Sequence, residues 1–182
     1  MRKRPTAQLL AGMVAGAVVS TVGAVQAGVR INLSPSMPKG LYRLVRCDET
    51  VGLDAAVGDR VAIDTKKASS NARLSFFRSL GWLSTSGRSD DLLMKTVVGI
   101  GGDDVTEEDG RLHVNGTPLS RNASRRERVV GRLSLPSVEL PQRINEGEVW
   151  LSSGHEKGID SRYFGPIARS FIACKAEALW TL

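Results

Sequence analysis

Aromatic side chains are scarce in this 182-residue chain: three Trp, two Tyr and four Phe, 5% of the total. With 19 Gly and many β-branched residues, that shortage points to short strands and turns. Histidine is scarcer still. Neither His113 nor His155 sits in a motif with an orienting acid, which argues against a histidine-based triad. No His, Cys or Asp spacing suggests a metal site, so no metal and no cofactor is expected. The two cysteines, Cys47 and Cys174, lie far apart in sequence; they are either one disulfide or two small buried side chains, and neither has the surroundings of a nucleophile. There is no repeat and no heptad. The length suits one domain with a real core and leaves little room for two.

Acidic residues are absent from the first 30 positions, which hold Arg2, Lys3, Arg4 and Arg30. The other 21 of the 25 basic residues face 19 acidic ones, so the net charge of +6 is concentrated in the tail. That distribution fits orientation across a membrane better than a nucleic-acid-binding face, and no nucleic-acid partner is expected. An uncharged run from Leu9 to Val25 follows the three leading cations. A helix of roughly 17–20 apolar residues just spans a hydrocarbon core. Val25-Gln26-Ala27 also resembles the cleavage site of a secretory signal. The expected organisation is residues 1–28 as a cytoplasmic basic tail and membrane anchor, or a signal segment, and residues 29–182 as one exported β domain.

Strands are predicted at Leu41–Arg46, Arg60–Asp64, Leu92–Ile100, Val129–Leu135, Glu148–Ser152 and Phe171–Cys174. Asn115-Gly116 marks a tight hairpin between Arg111–Val114 and Thr117–Leu119. Between Lys66 and Asp91 a short helix should cap the sheet, with Phe76, Phe77, Leu80 and Leu83 on one face. The arginines of 120–132 read as a solvated loop. The fold class is therefore mainly β: an antiparallel domain of short strands preceded by one N-terminal transmembrane helix.

Three stretches carry the chemistry. In Asn32-Leu33-Ser34-Pro35-Ser36-Met37-Pro38-Lys39-Gly40-Leu41-Tyr42, two prolines stiffen a turn with two hydroxyls side by side. Leu92–Val98 is an apolar run with one lysine, Lys95, in its middle. On a strand Leu93, Lys95 and Val97 share one face, and burial there would lower the lysine pKa, leaving it able to take a proton from a serine. The competing reading is a lysine on an edge strand with its head in water. The third stretch is Gly154–Gly165, with Asp160-Ser161-Arg162 at its centre.

Together these stretches resemble the serine–lysine signal peptidases of the S26 family, and within it the conjugative-transfer (TraF-type) peptidases that mature pilins. Ser34-Pro35-Ser36-Met37-Pro38 resembles the family's Ser-x-Ser-Met-x-Pro box with the proline one place earlier, and the continuation Lys39-Gly40-Leu41-Tyr42 suggests the conjugative subgroup. Lys95-Thr96-Val97-Val98-Gly99-Ile100-Gly101-Gly102-Asp103 matches the lysine box, with Thr96 in place of arginine. Asp160-Ser161-Arg162-Tyr163-Phe164-Gly165 matches the terminal box, and Val57–Val61 the Gly-Asp-Val strand.

The resemblance implies a signal-peptidase-like β domain in the bacterial inner membrane, its catalytic part periplasmic. Ser36 would be the acylating nucleophile and Lys95 the general base. The Ser36 N–H and the Ser34 hydroxyl would form the oxyanion hole, and Asp160 and Arg162 would brace the site as an ion pair. The family usually carries a serine two residues before that aspartate to hold the lysine; here Gly158 stands there, leaving Asp160 itself, Ser161 or a water to substitute. The implied substrate is a membrane-bound pilin or other exported precursor with small residues before the cut. Its product is either a linear chain or, through capture by its own N-terminus, a ring. Other readings are a general leader peptidase, whose larger forms add a β domain for which Lys66–Asp91 is too small, and a non-catalytic anchored component of a conjugation or secretion apparatus. A self-cleaving repressor would need a DNA-binding helical module where this chain has its apolar run.

Overall fold

A computed structural model of the chain describes residues 27–83, 91–119, 129–130, 133–155 and 158–182. Strands β1 (Val29–Asn32), β2 (Gly40–Val45), β3 (Arg60–Asp64) and β4 (Leu92–Ile100) are joined by β11 (Glu148–Ser152), β12 (Ile167–Ala168) and β13 (Ile172–Thr181) in one sheet. The order across it is β1-β2-β13-β3-β4-β11-β12, and every pairing is antiparallel. A second, four-stranded sheet has the order β10 (Gln142–Arg143), β5 (Asp104–Glu108), β6 (Arg111–Val114), β7 (Thr117–Pro118). The short pair β8 (Val129–Val130) and β9 (Leu133–Ser134) completes a mainly antiparallel β architecture.

Period-two patterning explains how the sheets share a core. Along β4 the buried positions are Leu93, Lys95, Val97 and Gly99, alternating with partly exposed ones. Val149 and Leu151 of β11 enter the main core with Val61, Ile63 and Val97. Trp150, pointing the other way, enters a second cluster with Val105, Leu112, Val114, Val138 and Ile144. One strand thus supplies both cores, and the second sheet is fastened to the first through an aromatic side chain. The expected hairpin is present, turning at Asn115 and Gly116, both at positive φ.

The capping helix is shorter than expected. Helix α1 (Ala72–Ser79) starts at Asn71, whose side chain accepts from the Leu74 N–H, and stops before Leu80. Within the helix Leu74 and Phe77 are buried. Of the four residues expected on the core face, Phe77 and Leu83 enter the main core and Phe76 packs against it, Leu83 from beyond the helix end, while Leu80 is only partly covered. Phe77 packs edge-on to Tyr163, ring centroids 6.0 Å apart. Cys47 and Cys174 form a disulfide across a separation of 127 residues. A closed loop that long stabilises by about 4–5 kcal/mol on chain entropy.

The expected membrane segment and the arginine-rich stretch 121–128 lie outside the described residues. Among the described residues no helix is long and apolar enough to cross a membrane.

Candidate active site

The serine turn is built on Asn32, the last residue of β1. Its buried amide donates to the carbonyls of Ser34 (3.1 Å), Met37 (3.0 Å) and Pro38 (3.1 Å). Its carbonyl oxygen accepts from the Ser34 N–H (3.2 Å) and the Ser34 hydroxyl (2.9 Å). One side chain therefore ties down five polar groups of a seven-residue turn, aided by the Tyr42 hydroxyl donating to the Pro38 carbonyl at 2.7 Å. Gly40 closes the turn at φ 154°; a Cβ there would lie 2.0 Å from the Trp180 carbonyl oxygen. The Ser34 and Ser36 hydroxyls are 2.7 Å apart. Because Ser34 directs its own proton to Asn32, the proton between the two serines belongs to Ser36.

Lys95 lies on β4, an interior strand between β3 and β11, which removes the edge-strand alternative. The residue is 1% exposed. Its pKa is pushed down from 10.5 to about 8: burial disfavours the ammonium, the Asp160 carboxylate partly opposes that, and the Arg162 guanidinium adds to it. Among the described residues no hydrogen bond joins Lys95 to Ser36. The two segments meet through neighbours: the Thr96 hydroxyl approaches the Met37 sulfur at 3.8 Å, and Met94 packs on the cluster containing Met37.

Asp160 and Arg162 form a buried ion pair. Asp160 is the N-cap of α2 (Ser161–Phe164), accepting from the Arg162 N–H. One carboxylate oxygen meets Arg162 Nε at 2.7 Å and the other Nη2 at 2.8 Å, a two-pronged contact. Arg162 also donates to the carbonyls of His155 (2.7 Å) and Gly158 (3.0 Å), fastening both ends of the preceding loop. Such a pair, with its remaining lone pairs occupied, costs roughly 3–5 kcal/mol to break by removing one partner.

The Ser161 hydroxyl accepts from the Leu151 N–H at 2.9 Å, bonding α2 to β11. The hydroxyl beside Asp160 comes from Ser153, just past β11: Ser153 Oγ donates to Asp160 Oδ2 at 2.7 Å, and the Ser153 N–H donates to the same oxygen at 2.8 Å. A Cβ added at Gly158 would stand 2.0 Å from Ser153 Oγ and 2.5 Å from its Cβ. Gly158 lacks a side chain because Ser153 fills that space.

Sequence reasoning missed both Ser153 and Asn32. Asn before Ser-Pro-Ser is a recognisable turn-former; for Ser153 no local signal exists, since its position depends on loop closure. A cleft of ≈ 610 Å³ runs past this arrangement, lined by Pro35 and Met37 on either side of Ser36, Thr96 beside Lys95, and Ser152, Ser153 and Gly154.

The chain thus holds a buried lysine with a lowered pKa, a tethered serine pair and a carboxylate–guanidinium brace, and the cleft is lined by chain neighbours of Ser36 and Lys95 and by Ser153, which bonds Asp160. The family model for signal peptidases of peptidase family S26 matches residues 5–181. The chain belongs to that family. Its full-length relatives include a probable conjugal transfer protein TraF of Sinorhizobium fredii, 33% identical over 99% of this chain and 93% of that protein. The conjugal transfer protein TraF of Agrobacterium tumefaciens strain 15955 is 28% identical over 100% of this chain and 98% of its own length. The TraF-type resemblance read from the serine box therefore extends along the whole chain. Among solved structures, a signal peptidase I from Enterococcus faecalis matches 70% of this chain and 97% of its own at 19% identity and a TM-score of 0.38, a likeness too loose to bear on the site.

Proposed function

We propose that the chain is a membrane-anchored serine endopeptidase of conjugal transfer, cutting a pilin or other exported precursor after small residues. The observation that carries this reading is the burial of Lys95, which leaves a large share of its amine uncharged near pH 8. Neutral Lys95 Nζ takes the Ser36 proton as Ser36 Oγ attacks the scissile carbonyl, after Ser36 turns from Ser34 toward the lysine. The Ser36 N–H and the Ser34 hydroxyl, its proton swung from the Asn32 carbonyl oxygen to the substrate, receive the oxyanion; loss of one such donor costs ~10²–10³ in rate. Lys95 then returns the proton to the departing amine, leaving an acyl-enzyme. Either water or the precursor's own N-terminal amine resolves it, giving a linear or a cyclic subunit by the same proton path. Asp160, held by Arg162 and Ser153, fixes the local field at Lys95.

The reading takes the segment before residue 27 as the inner-membrane anchor and the β domain as periplasmic, a setting in which a disulfide such as Cys47–Cys174 persists. The test is maturation in cells carrying Ser36→Ala, Lys95→Ala or, as a control in the second sheet, His113→Ala. Mass spectrometry of the mature subunit should show processing lost in the first two and retained in the third. Loss of one water beyond trimming identifies ring closure. Processing that survives in both the Ser36 and Lys95 variants would leave only a non-catalytic component of the apparatus.

A further inference from the structure

The cleft beside Ser36 is charged on one side only. Besides the residues already named, its lining includes Lys39 and Arg60, and no carboxylate among the described residues. Both cations are exposed. Arg60 opens β3 directly across from Thr96, the residue that touches Met37. Its positive charge also reaches the Tyr42 phenol, which donates to the Pro38 carbonyl next to Lys39. The two side chains therefore converge on the end of the serine turn.

Lys67, Arg73 and Arg111 are also exposed and have no ion-pair partner among the described residues, but only Lys39 and Arg60 among the exposed cations line this cleft, and several others are paired. Arg43 pairs with Glu177, Arg143 with Asp104 and Lys175 with Asp59. Among the described residues, neither Lys39 nor Arg60 has an ion-pair partner. Two uncommitted cations lining a cleft between the neighbours of Ser36 and of Lys95 repel basic chains and favour negative ones.

We infer that Lys39 and Arg60 select precursors by a carboxylate close to the cleavage point, supplied either by an acidic side chain or by a free C-terminus just beyond the cut. This rests on the peptidase reading above and adds the charge of the substrate to it. An exposed ion pair gives roughly two- to fivefold, so both cations together should give about 5- to 20-fold in kcat/KM. The preference should shrink as salt rises toward 1 M.

The test uses the full chain in detergent and alanine-rich synthetic peptides. One series carries a single Glu or Gln walked along three positions on each side of the cut; another ends shortly after the cut in a free acid or an amide. Glu favoured over Gln at one or more positions identifies a side chain, and acid favoured over amide identifies the C-terminus. In either case R60Q with K39Q should abolish the ratio, and Arg60→Glu should turn it toward a Lys-bearing peptide. Cleavage of all peptides at equal rates would overturn the inference and leave the peptidase reading intact. A ratio unchanged in the double variant would overturn the assignment to these two residues. Failure to cut any peptide would sink the peptidase reading and this inference with it.

Discussion

Replacing Lys95 by methionine should make the protein more stable and inactive at once. In the unfolded chain the amine has an ordinary pKa of 10.5; in the folded protein burial brings it to about 8. At 1.36 kcal/mol for each tenfold change, that difference amounts to roughly 3 kcal/mol. The folded state binds the proton less tightly, so the full penalty applies below pH 8, where both states are protonated. It fades between pH 8 and 10.5, as the folded state loses its proton first, and is gone above. Wild-type stability should therefore rise through that window, while Lys95→Met, which fills a similar volume without charge, should lack this rise. At pH 7 the variant should be about 2–3 kcal/mol more stable, a shift of about 1–2 M in the urea midpoint for a chain of this size. Tryptophan fluorescence of the full chain in detergent follows the transition, helped by buried Trp150. A variant less stable than wild type at pH 7, or an advantage equal at pH 7 and pH 10.5, would refute the reasoning.

Two further perturbations address the brace. Asp160→Asn removes the charge that holds the Lys95 pKa up and leaves Arg162 unopposed, so the acid limb of the pH–rate profile should move to lower pH; the same change should cost roughly 3–5 kcal/mol by stranding a buried guanidinium. Ser153→Gly should lower kcat more than it raises KM. Adding Gly158→Ser to that variant, which returns a hydroxyl to the vacated space, should recover activity, whereas Gly158→Ser alone should destabilise because its Cβ meets Ser153 Oγ at 2.0 Å.

Much of the sheet was legible because burial imposes alternation. Arg60–Asp64, Leu92–Ile100 and Glu148–Ser152 were read at their observed bounds from pattern alone. The end of β13 was not: after Ala176 both faces are exposed, so Glu177–Thr181 carries no apolar rhythm although it pairs with β2. β1 escaped for the same reason, with Ile31 exposed and Asn32 buried in reverse of the usual rule. The second sheet was invisible as a unit because its strands are two to five residues long and its core is completed by Trp150 from the first. At the site, Ser34, Ser36, Lys95, Asp160 and Arg162 could be named because each sits in a contiguous motif. Ser153 could not, because its role is set by a missing side chain five residues further on.

The most direct test is the pH dependence of kcat/KM for peptide cleavage by the full chain. An uncharged Lys95 as base predicts an acid limb near pH 8, falling about tenfold per pH unit below it. Asp160→Asn should displace that limb, and Lys95→Ala should remove cleavage at every pH. A wild-type rate that stays flat from pH 8 down to pH 6 would contradict the account.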